Sequence, residues 1–113
     1  MKISQLVDDS HAMALQKGWW HEDRSPAECL ALIHSEVSEA LECLRICSPG
    51  DRWRSGGDDM YTSKPEGFVY ELADVLIRIG DLCGRLNLDL ESAVIEKMKY
   101  NATRSIRHGG KNL

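Results

Sequence analysis

No stretch of the chain reaches the roughly 18 uninterrupted apolar residues of a membrane-crossing helix. The opening MKISQLVDDS has neither the apolar run nor the small-residue cleavage site of a secretory leader. The sequence therefore reads as that of a cytoplasmic protein with no membrane partner. Net basic charge is missing too: 14 Lys and Arg against 18 Asp and Glu leave a formal charge of -4. That argues against nucleic acid as the main partner, because surfaces that bind it usually carry net positive charge. The four cysteines contain no C-x-x-C pair. Cys29, Cys43 and Cys83 fall within apolar helical pattern, so reduced thiols are expected rather than a disulfide framework or a soft-metal site. Cys43 and Cys47, four apart, are the pair placed to interact. Strand-period alternation of apolar and polar residues is absent throughout, and no internal repeat occurs beyond two acid pairs.

What is present is helical pattern. At 113 residues the chain is expected to form one domain, residues 1–113, able to bury about two thirds of its unfolded surface. A first helix is predicted from Ser4 to Lys17, with Gly18 as its stop. SPAE reads as Ser25 at the N-cap, Pro26 at the first helical position and Glu28 closing a capping box, opening a second helix to about Cys47. SKPE repeats the device at Ser63 to Glu66 for a third helix reaching about Leu86. Asp89 caps a fourth through Asn101. Residues 48–64, rich in Gly, Asp and Ser, form a loop longer than those that ordinarily join packed helices. The expected fold class is all-α, a four-helix bundle.

Two stretches carry chemistry. In HSEVSEALE and VYELADVLIRIG, acids stand three residues apart inside apolar helical pattern. On the second helix Cys29, Leu32, Ile33, Val37, Ala40, Leu41 and Leu44 form a stripe that contains Glu36 and borders Glu39. On the third, Phe68, Leu72, Val75, Ile79 and Leu82 form a stripe bordered by Glu71 and Asp74. Antiparallel packing of these helices puts Glu39 about 12 Å before the end of one and Glu71 roughly 10 Å after the start of the other. The four carboxylates then meet at one level, where they repel unless a hard divalent cation neutralises them. Mg²⁺, with Mn²⁺ as substitute, is the expected cofactor, and Glu36, Glu39, Glu71 and Asp74 are its expected ligands. A carboxylate-bridged iron bundle calls for Glu-x-x-His on two helices, which this chain lacks. His34 falls outside the stripe and reads as a surface residue.

From Lys97 onward the sequence has Lys97, Lys99, Arg104, Arg107 and Lys111 and no acid. Lys97, Asn101 and Arg104, spaced i, i+4, i+7, share a helical face. A basic face beside an acidic metal cluster suits a metal-bound polyphosphate.

These residues together resemble the all-alpha nucleoside triphosphate pyrophosphohydrolases, the MazG-like group related to dimeric dUTPases. The resemblance rests on the ExxE of Glu36 to Glu39, the ExxD of Glu71 to Asp74 and the downstream EKMKYNATR. It extends through KGWWHEDRSPAECLALIHSEVSEALE, KPEGFVYELADVLIRIGDLC and RHGGK. It implies a helical bundle assembled as a homodimer or dimer of dimers, two or more Mg²⁺ ions per site, and hydrolysis of a (deoxy)nucleoside triphosphate to the monophosphate and pyrophosphate. Glu36, Glu39, Glu71 and Asp74 then match the ligands, and Lys97, Asn101 and Arg104 the phosphate-contacting positions. Some members carry a further Glu directly before the first motif acid. Ser35 stands there in this chain, so Glu36 or Glu39 is left to accept the proton of the attacking water, or the metal alone to acidify it.

For the base, Trp19 and Trp20 offer indoles that can stack. Asp23 beside them offers an acceptor for guanine N1–H and N2–H₂, which leans the expectation to a purine, dGTP or GTP. Trp53 and Tyr61 are candidates for a lid. The competing expectation is a non-catalytic helical module that binds nucleotide or metal, or serves in assembly.

Overall fold

The computed structural model describes residues 1–104. The RHGGK segment, with Arg107 and Lys111, lies outside the described residues. The architecture is predominantly helical: α1 (Ile3–Gln16), α2 (Pro26–Cys43), β1 (Trp53–Ser55), β2 (Lys64–Glu66), α3 (Phe68–Arg85) and α4 (Leu90–Thr103). No helix among the described residues is long and apolar enough to cross a membrane.

Local chemistry accounts for most of the boundaries. Gly18, at φ 81°, follows the end of α1 and lets the Trp19 amide return to the Ala14 carbonyl. Ser25 Oγ accepts from the Glu28 amide at 3.1 Å, and Pro26 occupies the first turn of α2. Asp89 accepts from the Ser92 amide at 3.0 Å and opens α4.

Two expectations fail. α2 ends at Cys43, and residues 44–47 form turns rather than a further helical turn. The SKPE segment caps nothing: Lys64–Glu66 is a strand, paired antiparallel with Trp53–Ser55 in the register Trp53 to Glu66, and α3 begins only at Phe68. Strands of three residues are too short to leave an alternating signature, so the hairpin was invisible to periodicity. Its turn is tied by Asp59, whose carboxylate accepts from the amides of Tyr61 and Thr62, and by Arg54, which donates to the Met60 and Ser63 carbonyls.

α3 is the central element, packed against α1 on one side and α2 on the other, while α4 rests chiefly on α1. The α1–α3 contact is close because α3 presents Gly80 and Gly84. A Cβ at Gly84 would stand 2.5 Å from His11 Cβ, and one at Gly80 would stand 3.0 Å from Ser10 Oγ. The buried interior is accordingly made of small and polar groups: Val7, Ser10 and Ala14 from α1, Cys29, Glu36 and Ala40 from α2, Asp81 and Cys83 from α3.

Large apolar side chains lie mostly outside that interior. Val37, Leu41, Leu72 and Leu76 are all exposed, Leu41 by 61%, and α4 buries no residue. The helices of one chain therefore do not close around a shared apolar core. The radius of gyration is 16.7 Å, against about 13 Å for a compact domain of this size.

Candidate metal centre and the cleft beside it

Glu36 lies on the inner face of α2, one turn before Ala40, and is itself buried. Glu71 and Asp74 stand in the first two turns of α3 on the side that meets α2. One carboxylate oxygen from each of the three lies within 4.8 Å of the others. Three oxygens at that spacing are the donor chemistry a hard divalent cation takes, at about 2.0–2.6 Å per bond with modest side-chain adjustment. The residues fit the cation expected from the sequence.

Glu39 does not belong to that triad. It is exposed, and it lines a cleft of about 350 Å³ together with Glu71, Cys43, Trp53 and Lys64. The i, i+3 spacing alone does not set this, because Glu71 and Asp74 share it and converge; Glu36 is buried against α3 while Glu39 is exposed. Glu36 turns to the α3 interface and Glu39 to the open cleft.

The electrostatics show the strain of the arrangement. Burial holds the Glu71 carboxyl above the usual range, and the neighbouring charges of Asp74 and Glu39 add to this. Asp74 is raised in the same direction, by burial first and then by the charge of Glu36. Two cations oppose these shifts. Lys64, delivered by β2, acts on both acids; Arg78, one turn after Asp74 on α3, acts on Asp74 and donates its Nε to Glu36 Oε1 at 2.5 Å.

Neither cation was anticipated. Arg78 was legible, since Glu71, Asp74 and Arg78 follow at i, i+3, i+7 and share a face. Lys64 was not, because its placement depends on the hairpin.

The expected phosphate-contacting residues lie elsewhere within one chain. Lys97 and Asn101 are exposed on α4 and Arg104 is exposed just past its end with extended backbone, so the three do not share one helical face as expected; none lines the acid cleft, and Lys97 and Arg104 instead flank the Tyr100 ring at 5.4 and 5.5 Å. No family model, no curated protein and no solved structure matches the chain. The likeness to the MazG-like group thus stands on the motif residues themselves.

The two tryptophans, adjacent in sequence, have different surroundings. Trp20 Nε1 donates to both Asp81 oxygens, at 2.9 and 3.2 Å, and its ring meets His11 edge-on. Arg85 covers its face at 4.6 Å. Trp20 is a structural pin between the α1–α2 connection and α3, and its expected place in base stacking is withdrawn. Trp19 is 42% exposed and carries Arg78 over its ring at 5.0 Å. Asp23, its side chain 86% exposed, pairs with Arg85 on the Trp20 side, and so is not the acceptor beside the Trp19 ring that the guanine expectation required.

Trp53 lines the acid cleft, while Tyr61 is 90% exposed in the hairpin turn and does not. All four cysteines are free, Cys29 and Cys83 buried and Cys43 and Cys47 partly so, with the latter two sulfurs 3.0 Å apart. Their hydrogen bond pushes the Cys43 thiol up to about 11.

Proposed function

We propose that the chain is a divalent-cation-dependent hydrolase that converts a nucleoside triphosphate to its monophosphate and pyrophosphate. The observation that carries this reading is the triad of Glu36, Glu71 and Asp74, three carboxylates on facing helices, of which Glu71 also lines a cleft shared with Glu39. Mg²⁺ or Mn²⁺ bound there supplies charge neutralisation to the phosphate chain and acidity to water. Glu36, Glu71 and Asp74 hold the cation. Arg78 orients Glu36 through its Nε, in the manner of an outer-shell partner.

Glu39, outside the triad and exposed on the cleft, takes the proton of the attacking water. The water oxygen forms a bond to the α- or the β-phosphorus, the bond from that phosphorus to the α–β bridging oxygen breaks, and the bridging oxygen leaves with pyrophosphate in the first case and with the monophosphate in the second. Lys64 stands on the cleft wall to receive phosphate charge.

The bundle is completed by a second copy of the chain. Val37, Leu41, Leu72 and Leu76 supply the apolar face, and the partner's α4, with the residue that follows it, brings Lys97, Asn101 and Arg104 to a site that its own chain leaves without them. A homodimer, or a dimer of dimers, is the active species. The exposed position of those three residues within one chain favours the alternative, a non-catalytic binding or assembly module, should the copies fail to associate.

Pyrophosphate release from a panel of ribo- and deoxynucleoside triphosphates, with and without Mg²⁺, tests the reading alongside light-scattering mass. Cation-dependent release by a dimer or tetramer is the expected result. A chain that binds cation and assembles yet releases no pyrophosphate from any triphosphate overturns it in favour of the module.

A further inference from the structure

A second recess opens on the other side of Arg78. It is a cleft of about 200 Å³ lined by Trp19, Arg24, Leu32 and Arg78. The floor and wall are an indole and a leucine; the polar groups are two guanidiniums, which only donate hydrogen bonds. Arg24 makes no ion pair among the described residues, and Arg78 is already balanced by Glu36. One uncompensated positive charge between apolar walls is a poor match for a triphosphate. It matches a planar ring that stacks on the indole and presents carbonyl or ring-nitrogen acceptors to a fork of donors.

We propose that this cleft is the base pocket and that Arg24, with the outer nitrogens of Arg78, makes it selective for the 6-oxo purines hypoxanthine and guanine over the 6-amino purine adenine. The inference rests on the reading of the acid triad as the phosphate-processing site, and Arg78 joins the two. Its Nε is on Glu36 while its guanidinium lies over Trp19, so a ring in the cleft stands one side chain away from the cation ligands. The acceptor edge of guanine, O6 and N7, is the one read by arginine. Inosine and adenosine separate the hypotheses cleanly, because they differ at position 6 by oxo against amino.

The experiment follows tryptophan emission in the Trp53→Phe protein, in which Trp19 and Trp20 remain, with a Trp19→Phe, Trp53→Phe control whose signal is that of Trp20 alone, as nucleotides are added with Mg²⁺. ITP and GTP are each expected to bind about tenfold more tightly than ATP, the scale of one good arginine pairing. Arg24→Met should bring both ratios within about twofold while leaving the helical circular dichroism unchanged, and Arg24→Lys should retain part of the preference. Equal binding of ATP and ITP overturns the proposal, as does an Arg24→Met protein that keeps the wild-type ratio. Pyrophosphate alone shifting the Trp19-dependent emission as strongly as ITP overturns it too, and reassigns the cleft to phosphate. A 6-oxo preference in binding without any hydrolysis supports this pocket while sinking the hydrolase. Hydrolysis without a 6-oxo preference does the reverse.

Discussion

Asp74 and Asp81 lie on the same helix, two turns apart, and are treated in opposite ways. Asp81 is buried and fully partnered: Trp20 donates to both its oxygens, and His11 Nδ1 sits 2.8 Å from one of them. Asp74 receives no hydrogen bond among the described residues and faces two other acids. A carboxylate that a fold uses to hold itself together is given donors, because an unpaired buried charge is costly. Asp74 is exposed at the edge of the α2–α3 interface and left facing its own kind, its pKa raised by partial desolvation and the charge of Glu36, an arrangement that folding alone does not favour. The difference separates a structural pin from a candidate ligand set without reference to any relative.

The comparison breaks most visibly by neutralising each side in turn. Glu36→Gln, Glu71→Gln and Asp74→Asn should each cut pyrophosphate release by more than about a hundredfold, beyond the range for loss of an outer-shell partner. The metal-free melting temperature should hold or rise for Glu71→Gln and Asp74→Asn, and fall for Glu36→Gln, which leaves Arg78 without its partner. Glu39→Gln should lose turnover comparably but keep its Mn²⁺ affinity by electron paramagnetic resonance, since it lies outside the triad. Near wild-type turnover in two of the triad variants would end the metal assignment.

Asp81→Ala is the complementary case. Stranding the Trp20 N–H and His11 should destabilise the protein by about 1–3 kcal/mol, read from denaturant unfolding. Mn²⁺ affinity should stay within about threefold, because the pin does not touch the triad. A large loss of cation binding with little change in stability would show that the two acids are not as separate as their surroundings indicate.

The smallest effect is in pH. Glu71 and Asp74 have folded-state pKa values above their ordinary 4.5 and 3.8, so the folded chain retains protons that the unfolded chain releases. Their contribution to metal-free stability is therefore lost as pH rises from about 4 through the raised values. Thermal scans across that window should fall more steeply for the wild type than for the Glu71→Gln, Asp74→Asn double variant. Saturating Mg²⁺ should remove the difference. Parallel curves would mean that the repulsion is relieved some other way.

Much of this was readable in the residues and some was not. Helix positions followed from Ser25, Pro26, Gly18 and Asp89, whose effects are local. The convergence of Glu36, Glu71 and Asp74 followed from stripe geometry, which needs only that two helices pack. The exclusion of Glu39 was not encoded in its i, i+3 spacing, which Glu71 and Asp74 share and still converge. The pairing of Trp20 with Asp81 spans 61 residues, and no periodicity encodes a contact of that range. The hairpin that delivers Lys64 is set by an Asp59 turn and by the arginine fork of Arg54, both too short in sequence to stand out.

Gly80 and Gly84 make α1 and α3 nearly a single beam, and Trp19 and Trp20 hang from the end of α1. A side chain at Gly80 makes α1 give by a few tenths of an ångström and one at Gly84, where a Cβ would stand 2.5 Å from His11 Cβ, by more, and the displacement is carried along α1 to its far end. The Trp19 ring then moves relative to Arg78 while Glu36, on the opposite flank of α3, stays where it is. The spacing between ring and acids is thus a dimension set by two residues that touch neither, and a change there alters how a ligand spans the two clefts without altering a single group that lines them.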